Sequence, residues 1–181
     1  MSASEIIIVR SLTDSDMGLF SAHRRGTTSK QRAIALTALA AEQLLHPSVI
    51  EEKGSVFDCI CLFGSVANRE ARTINKGGKN WRLGGRQLAG EIFAGLDSKD
   101  FALIRSVRHN DGSSPILITF VGRRSHRFLQ AGLAASFENQ LRQSVAIFRD
   151  DSVEFETLAE LFPPVPAKVA VQPSLQQVAY L

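Results

Sequence analysis

Six basic residues, Arg69, Arg72, Lys76, Lys79, Arg82 and Arg86, fall between positions 69 and 86 against one acid, Glu70. The stretch reads R-E-A-R-T-I-N-K-G-G-K-N-W-R-L-G-G-R, with two Gly-Gly pairs and the only tryptophan, Trp81. Arginine forks grip phosphate oxygens or a guanine edge through paired hydrogen bonds, lysine supplies a point charge, and asparagine pairs with an adenine edge. Glycines let another molecule approach the backbone closely. Arg72, Lys76, Lys79, Asn80, Trp81, Arg82 and Arg86 are therefore candidates for contact with phosphates and bases. The plainer alternative is a solvated hairpin whose tryptophan tucks into the core.

A second basic stretch lies upstream. Ser21–Arg32 reads S-A-H-R-R-G-T-T-S-K-Q-R and contains His23, Arg24, Arg25, Lys30 and Arg32 with no acid. A loop of this kind can reach along a nucleic-acid backbone, and taken alone it is equally well a solvated connection. A third group, Arg123, Arg124, His126 and Arg127, precedes a helical pattern. Bases at a helix start oppose the helix dipole, which fits an anionic partner.

The formal net charge is only +3, but it is unevenly spread. From Asp150 to Glu160 there are five acids, Asp150, Asp151, Glu154, Glu156 and Glu160, and no base. The bases concentrate upstream, so the net figure understates how positive one face can be. The partner this favours is a polyanion, duplex DNA first among the nucleic acids.

Enzyme signatures are sparse. No G-x-S-x-G, phosphate-binding P-loop, G-x-G-x-x-G or H-E-x-x-H occurs, and the four histidines have no metal-ligand spacing. Cys59 and Cys61 share one face of an extended segment, which reads as buried thiols rather than a disulfide or metal pair. No motif calls for a cofactor. The enzyme reading with most content is a magnesium-dependent endonuclease, with Asp58, Glu70 and Lys76 or Lys79 activating water at a metal. A non-enzymatic protein-interaction module is the third reading. No run approaches the roughly 20 apolar residues of a membrane span. The opening M-S-A-S-E lacks a signal peptide's basic and apolar regions, so a reducing cytoplasm is the expected location.

The elements that must carry these residues read as follows. Glu5–Arg10, Val56–Phe63, Glu70–Asn75, Trp81–Leu83, Phe101–Val107 and Ile116–Val121 have the β-branched or apolar runs of strands, bounded by turn residues. His109–Pro115, H-N-D-G-S-S-P, reads as a hairpin turn, and Glu91–Leu96 as one helical turn. Lys30–Leu45, with Ser29 as N-cap, and Ser125–Phe148 read as two longer helices, and Val153–Phe155 as a last strand. The fold class is α+β: a mainly antiparallel sheet or open pseudobarrel with the two helices packed on it. Residues 1–162 form one globular domain. Four of the six prolines fall after position 162, so 163–181 is an extended or disordered tail, a place for a protein partner or a second copy of the chain.

Three segments carry a resemblance: V-R-S-L-T-D-S-D-M-G with its following basic loop, R-E-A-R-T-I-N-K-G-G-K-N-W-R-L-G-G, and F-A-G-L-D-S-K-D-F-A-L-I-R-S-V. Together they cover roughly half the chain and resemble the N-terminal effector domain of certain type II restriction endonucleases and the related plant B3 domains. The resemblance implies a DNA-binding pseudobarrel whose two protruding arms grip the major groove, as the recognition part of a restriction-type system. By position the arms would be Ser21–Arg32 and Lys76–Arg86. That implies base or backbone contacts from His23, Arg24, Arg25, Lys30, Lys79, Asn80, Trp81 and Arg82.

Overall fold

The computed structural model describes residues 5–26, 30–44, 56–63, 66–77, 80–106, 116–125 and 145–162. Two apolar runs bounded by turn residues, Val56–Phe63 (β3) and Ile116–Val121 (β7), become neighbouring strands at the centre of the sheet. Such runs suit strands buried on both faces, and every residue of β7 is buried. The other strands are β1 (Ile6–Ser11), β2 (Ala33–Leu36), β4 (Val66–Gly77), β5 (Asn80–Gly85), β6 (Phe101–Ser106) and β8 (Val145–Arg149). They form one eight-stranded sheet in the order β2-β5-β4-β3-β7-β6-β1-β8. The β3–β7 pair is parallel and the rest are antiparallel.

The sheet curls into an open pseudobarrel. β2 and β1 are first and seventh in the strand order, yet the Arg10 guanidinium on β1 donates to the Ala35 carbonyl on β2 at 2.9 Å. Only a strongly rolled sheet brings those strands within a side chain's length. Inside the roll, Ile8, Leu12, Ile34, Leu36, Ile74, Trp81, Leu83, Ile104 and Ile118 form one core with Phe20, Phe93 and Phe120. On the outside of β7, β6, β1 and β8 a second core gathers Ile7, Val9, Leu103, Phe148, Phe155, Leu158 and Phe162. α2 (Val153–Ala159) covers that outer face, capped by Ser152, whose hydroxyl accepts from Phe155 N at 3.3 Å. The fold class is thus α+β with a mainly antiparallel, open pseudobarrel.

Three expected elements differ. The helix predicted over Lys30–Leu45 does not form as one piece: Ala33–Leu36 is β2, and only Ala38–Leu44 is helical (α1). Ile34 and Leu36 share one face of β2 and pair with Leu83 and Trp81 of β5, all four buried in the inner core. A helix there would leave that edge of β5 without its ladder. The cap is Thr37, whose hydroxyl accepts from Ala40 N at 3.2 Å; Ser29 lies outside the described residues.

The C-terminal part of the helix predicted over Ser125–Phe148 is strand β8, paired with β1 from Ile6↔Arg149 to Arg10↔Val145. Its 126–144 portion lies outside the described residues. Val153–Phe155, predicted as a strand, opens α2 instead. The predicted hairpin turn His109–Pro115 and the tail 163–181 also lie outside the described residues.

Candidate nucleic-acid interface

The strand register divides the molecule into two ends. Ser11 pairs with Phe101, Phe101 with Val121, and Leu62 runs parallel to Thr119. Carrying that direction through β4 and β5 places Gly85 and the start of β2 at the same end. The described segments that emerge there are 12–26, 30–32, 86–100 and 122–125. They carry Arg24, Arg25, Lys30, Arg32, Arg86, Lys99 and Arg124, all exposed, with Arg123 half-buried. The exposed acids on the same segments are Asp14, Glu91 and Asp97.

The opposite end and the flank covered by α2 carry Glu42, Asp150, Asp151, Glu154, Glu156 and Glu160, against Arg149 and Lys76. Among the described residues the ion pairs are Arg10–Asp16 and Arg105–Glu5, and neither involves the bases of the first end. Exposed bases gathered on one surface, outside any ion pair among the described residues, build the positive potential that attracts a polyanion.

The first basic loop is fixed at both sides. Phe20 bridges Leu88, with Ser21 N donating to Leu88 O at 3.0 Å and Leu88 N to Leu19 O at 2.9 Å. Phe20 packs against Phe93 and edge-on against Phe120, with centroids 5.3 and 4.9 Å apart. The His23 ring bonds through Nε2 to the Phe93 carbonyl at 2.9 Å. Since a carbonyl only accepts, Nε2 carries the proton. His23 therefore anchors the loop's first turn, and Arg24 and Arg25 follow it into solvent.

At the far side, Gln31 Nε2 donates to Ala33 O at 2.8 Å, and Asp16 Oδ1 accepts from Ala35 N at 3.3 Å. Asp16 Oδ2 also accepts from Thr13 N, the Thr13 hydroxyl and Arg10. These bonds set where Lys30 and Arg32 enter β2.

The predicted contacts of the second stretch separate by environment. Arg72 is buried at 2% exposure, and its guanidinium donates to the Arg86 carbonyl at 2.6 Å. It pairs with Gly85, whose φ of 137° and lack of Cβ admit the side chain: a Cβ there would stand 3.1 Å from Arg72 Cδ and Nη1. Burial gives Arg72 a scaffold position beneath Arg86.

Trp81 is likewise buried, at 4%, with Lys76 Nζ over its ring at 5.7 Å. Asn80 and Arg82 alternate with Trp81 and Leu83, so they face outward and are exposed. Arg82 stands between Asn75 of β4 and Ala35 of β2. Its surroundings on the outer face are small or polar: Ala33, Ala35, Thr73, Asn75 and Gly84. Lys79 lies outside the described residues.

Lys99, which the sequence reading did not single out, is exposed at the first end. For the nuclease reading, Asp58 stands opposite Ala71, and Glu70 opposite Cys59. The two acids are thus one register step apart along the β3–β4 ladder. Among the described residues no cluster of His, Cys, Asp and Glu could hold a metal, and no helix is long and apolar enough to cross a membrane.

No family model matches the chain, and no curated protein matches it. Among solved structures it resembles the B3 domain of the UbaLAI restriction endonuclease, determined with cognate DNA. The match has a TM-score of 0.49 at 12% identity and covers 81% of this chain and 86% of that one. Similarity at this level assigns no role to any residue.

Proposed function

We propose that this chain is a duplex-DNA-binding domain whose basic end clamps the phosphate backbone. The observation that carries the reading is the segregation of charge: eight bases outside any ion pair among the described residues at one end, and six acids at the other end and on the α2 flank. Condensed counterions on DNA are released when such bases neutralise phosphates, and that release drives binding.

Arg24, Arg25, Lys30, Arg32 and Arg86 take the backbone in this reading, while Arg82 on the exposed side of β5 takes a base edge; Asn80, paired with Gly77, lies at the opposite end of β5, away from these bases. Three residues lie between Arg82 and Arg86, at most about 13 Å of chain. That is well inside one turn of B-DNA, about 34 Å, so one duplex spans both. A recognition role in a restriction-type system is the biological setting that agrees with the sequence resemblance. Asp58 and Glu70, the acids of the nuclease reading, do not oppose each other in register.

The test is binding to duplex DNA, single-stranded DNA and RNA across a salt series, with and without magnesium. The expected result is a duplex preference, with the logarithm of affinity falling by about 0.9 per phosphate contact for each decade of salt. Arg24→Gln with Arg25→Gln should flatten that slope by about 1.8, while Glu156→Gln on α2 should leave it unchanged. A salt-independent affinity, or none at low salt, would overturn the proposal.

A further inference from the structure

We propose a second phosphate-contact site on the same end, formed by the paired turns 97–100 and 122–125 with Lys99, Arg123 and Arg124 as its cations. The inference rests on the duplex-binding reading and extends its footprint beyond the two basic stretches.

Asp100 ties the two turns together. Its carboxylate, on a residue 5% exposed, accepts from Asp97 N at 2.8 Å and from Arg123 N at 2.9 Å. The acid thus faces inward onto backbone donors and leaves the surface to its neighbours. Gly122 sits against it, where a Cβ would come within 3.9 Å of the carboxylate. Ser125 N donating to Gly122 O at 2.8 Å closes the second turn. Lys99 and Arg124 are exposed and Arg123 half-buried; Asp97 is the exposed acid beside them, with Oδ1 accepting from Ser98 N at 2.8 Å.

Lys99 is where the turn departs from what stability alone would select. Its φ is 80°, and it is the one non-glycine residue with positive φ among the described residues. Turns normally give that conformation to glycine or asparagine. The backbone is held by Lys99 N donating to Leu12 O and Leu12 N to Asp100 O, both at 2.7 Å. A lysine kept at a left-handed position, exposed and beside two arginines, indicates that its charge matters more than its backbone preference. Leu12 also begins the segment that carries the first basic loop, so the two cation groups stand on one hydrogen-bonded frame.

Lys99→Gly separates charge from backbone, because glycine suits φ of 80° better than lysine does. The expected result is an unchanged or raised melting temperature, with the salt slope for duplex DNA flatter by about 0.9. Lys99→Gln with Arg123→Gln and Arg124→Gln should flatten it by about 2.7 and leave any sequence preference in place. If the wild-type chain binds duplex DNA and neither variant alters its slope, this site is wrong and the duplex-binding reading stands. If the wild-type chain does not bind duplex DNA at all, both fall together.

Discussion

The Arg10 guanidinium lies 3.2 Å from the Asp16 carboxylate, with the two side chains 7% and 0% exposed, and together they close the seam of the rolled sheet. Arg10 reaches from β1 to the Ala35 carbonyl, and Asp16 accepts from the Ala35 amide, so both polar groups of one β2 residue are held by this pair. The edge strand β2 thereby gains a partner on the side away from β5. The same pair fixes the exit of the basic loop.

Removing one partner of a buried pair leaves an uncompensated charge, which costs about 3–5 kcal/mol. Asp16→Ala should therefore lower the melting temperature by about 6–20 °C for a chain of this size. A shift of less than about 2 °C, within the usual range of a surface substitution, would mean that the seam is held by something else.

Gly85→Ala should also destabilise, by about 1–3 kcal/mol. The new Cβ meets the Arg72 side chain at 3.1 Å, and φ of 137° is closed to alanine. Gly95→Ala is the control, since nothing lies within 4 Å of its added Cβ, and it should stay within about 0.5 kcal/mol. Equal denaturation midpoints for the two variants would contradict the packing described for Arg72.

Adjacent residues on β5 should behave in opposite ways. Trp81→Ala empties a core position and should cost about 3–5 kcal/mol of stability. Arg82→Ala, on the exposed face, should leave stability within about 0.5 kcal/mol. If Arg82 reads a base, its loss costs about 1–3 kcal/mol of duplex affinity and relaxes specificity. Unchanged affinity and specificity in a folded Arg82→Ala protein would remove it from the interface.

His23→Ala removes the bond to the Phe93 carbonyl and the edge contact with Phe20, whose centroid lies 6.3 Å from the ring. A lost hydrogen bond of this kind is worth about 0.5–1.5 kcal/mol. The loop should open more often, and trypsin should cut faster after Arg24 and Arg25. An unchanged cleavage rate would show that the loop is held without His23.

Most of the sheet was legible from composition. β3 and β7 match their predicted bounds because their apolar runs are short and bounded by turn residues, a length that suits a strand better than a helix. The helix predicted over Lys30–Leu45 failed for a specific reason. Ile34 and Leu36 at spacing two, followed by Ala40, Ala41 and Leu44, also fit a helical stripe, and only the ladder with β5 decides between them. Val145 and Phe148 were read into a helix for the same reason, since β1 as their partner lies more than a hundred residues upstream.

The candidate contacts show the same division between what is local and what is not. Sequence by itself determined which residues are basic, which stretches lack acids and which runs must be buried, because charge and hydrophobicity belong to each residue alone. Tertiary structure decided that Arg72 and Trp81 point into the core while Asn80 and Arg82 point out, because strand alternation needs a register to say which face is which. It also decided that Arg24, Arg86, Lys99 and Arg124, up to a hundred positions apart, emerge at one end, because the direction of each strand is set by its partner.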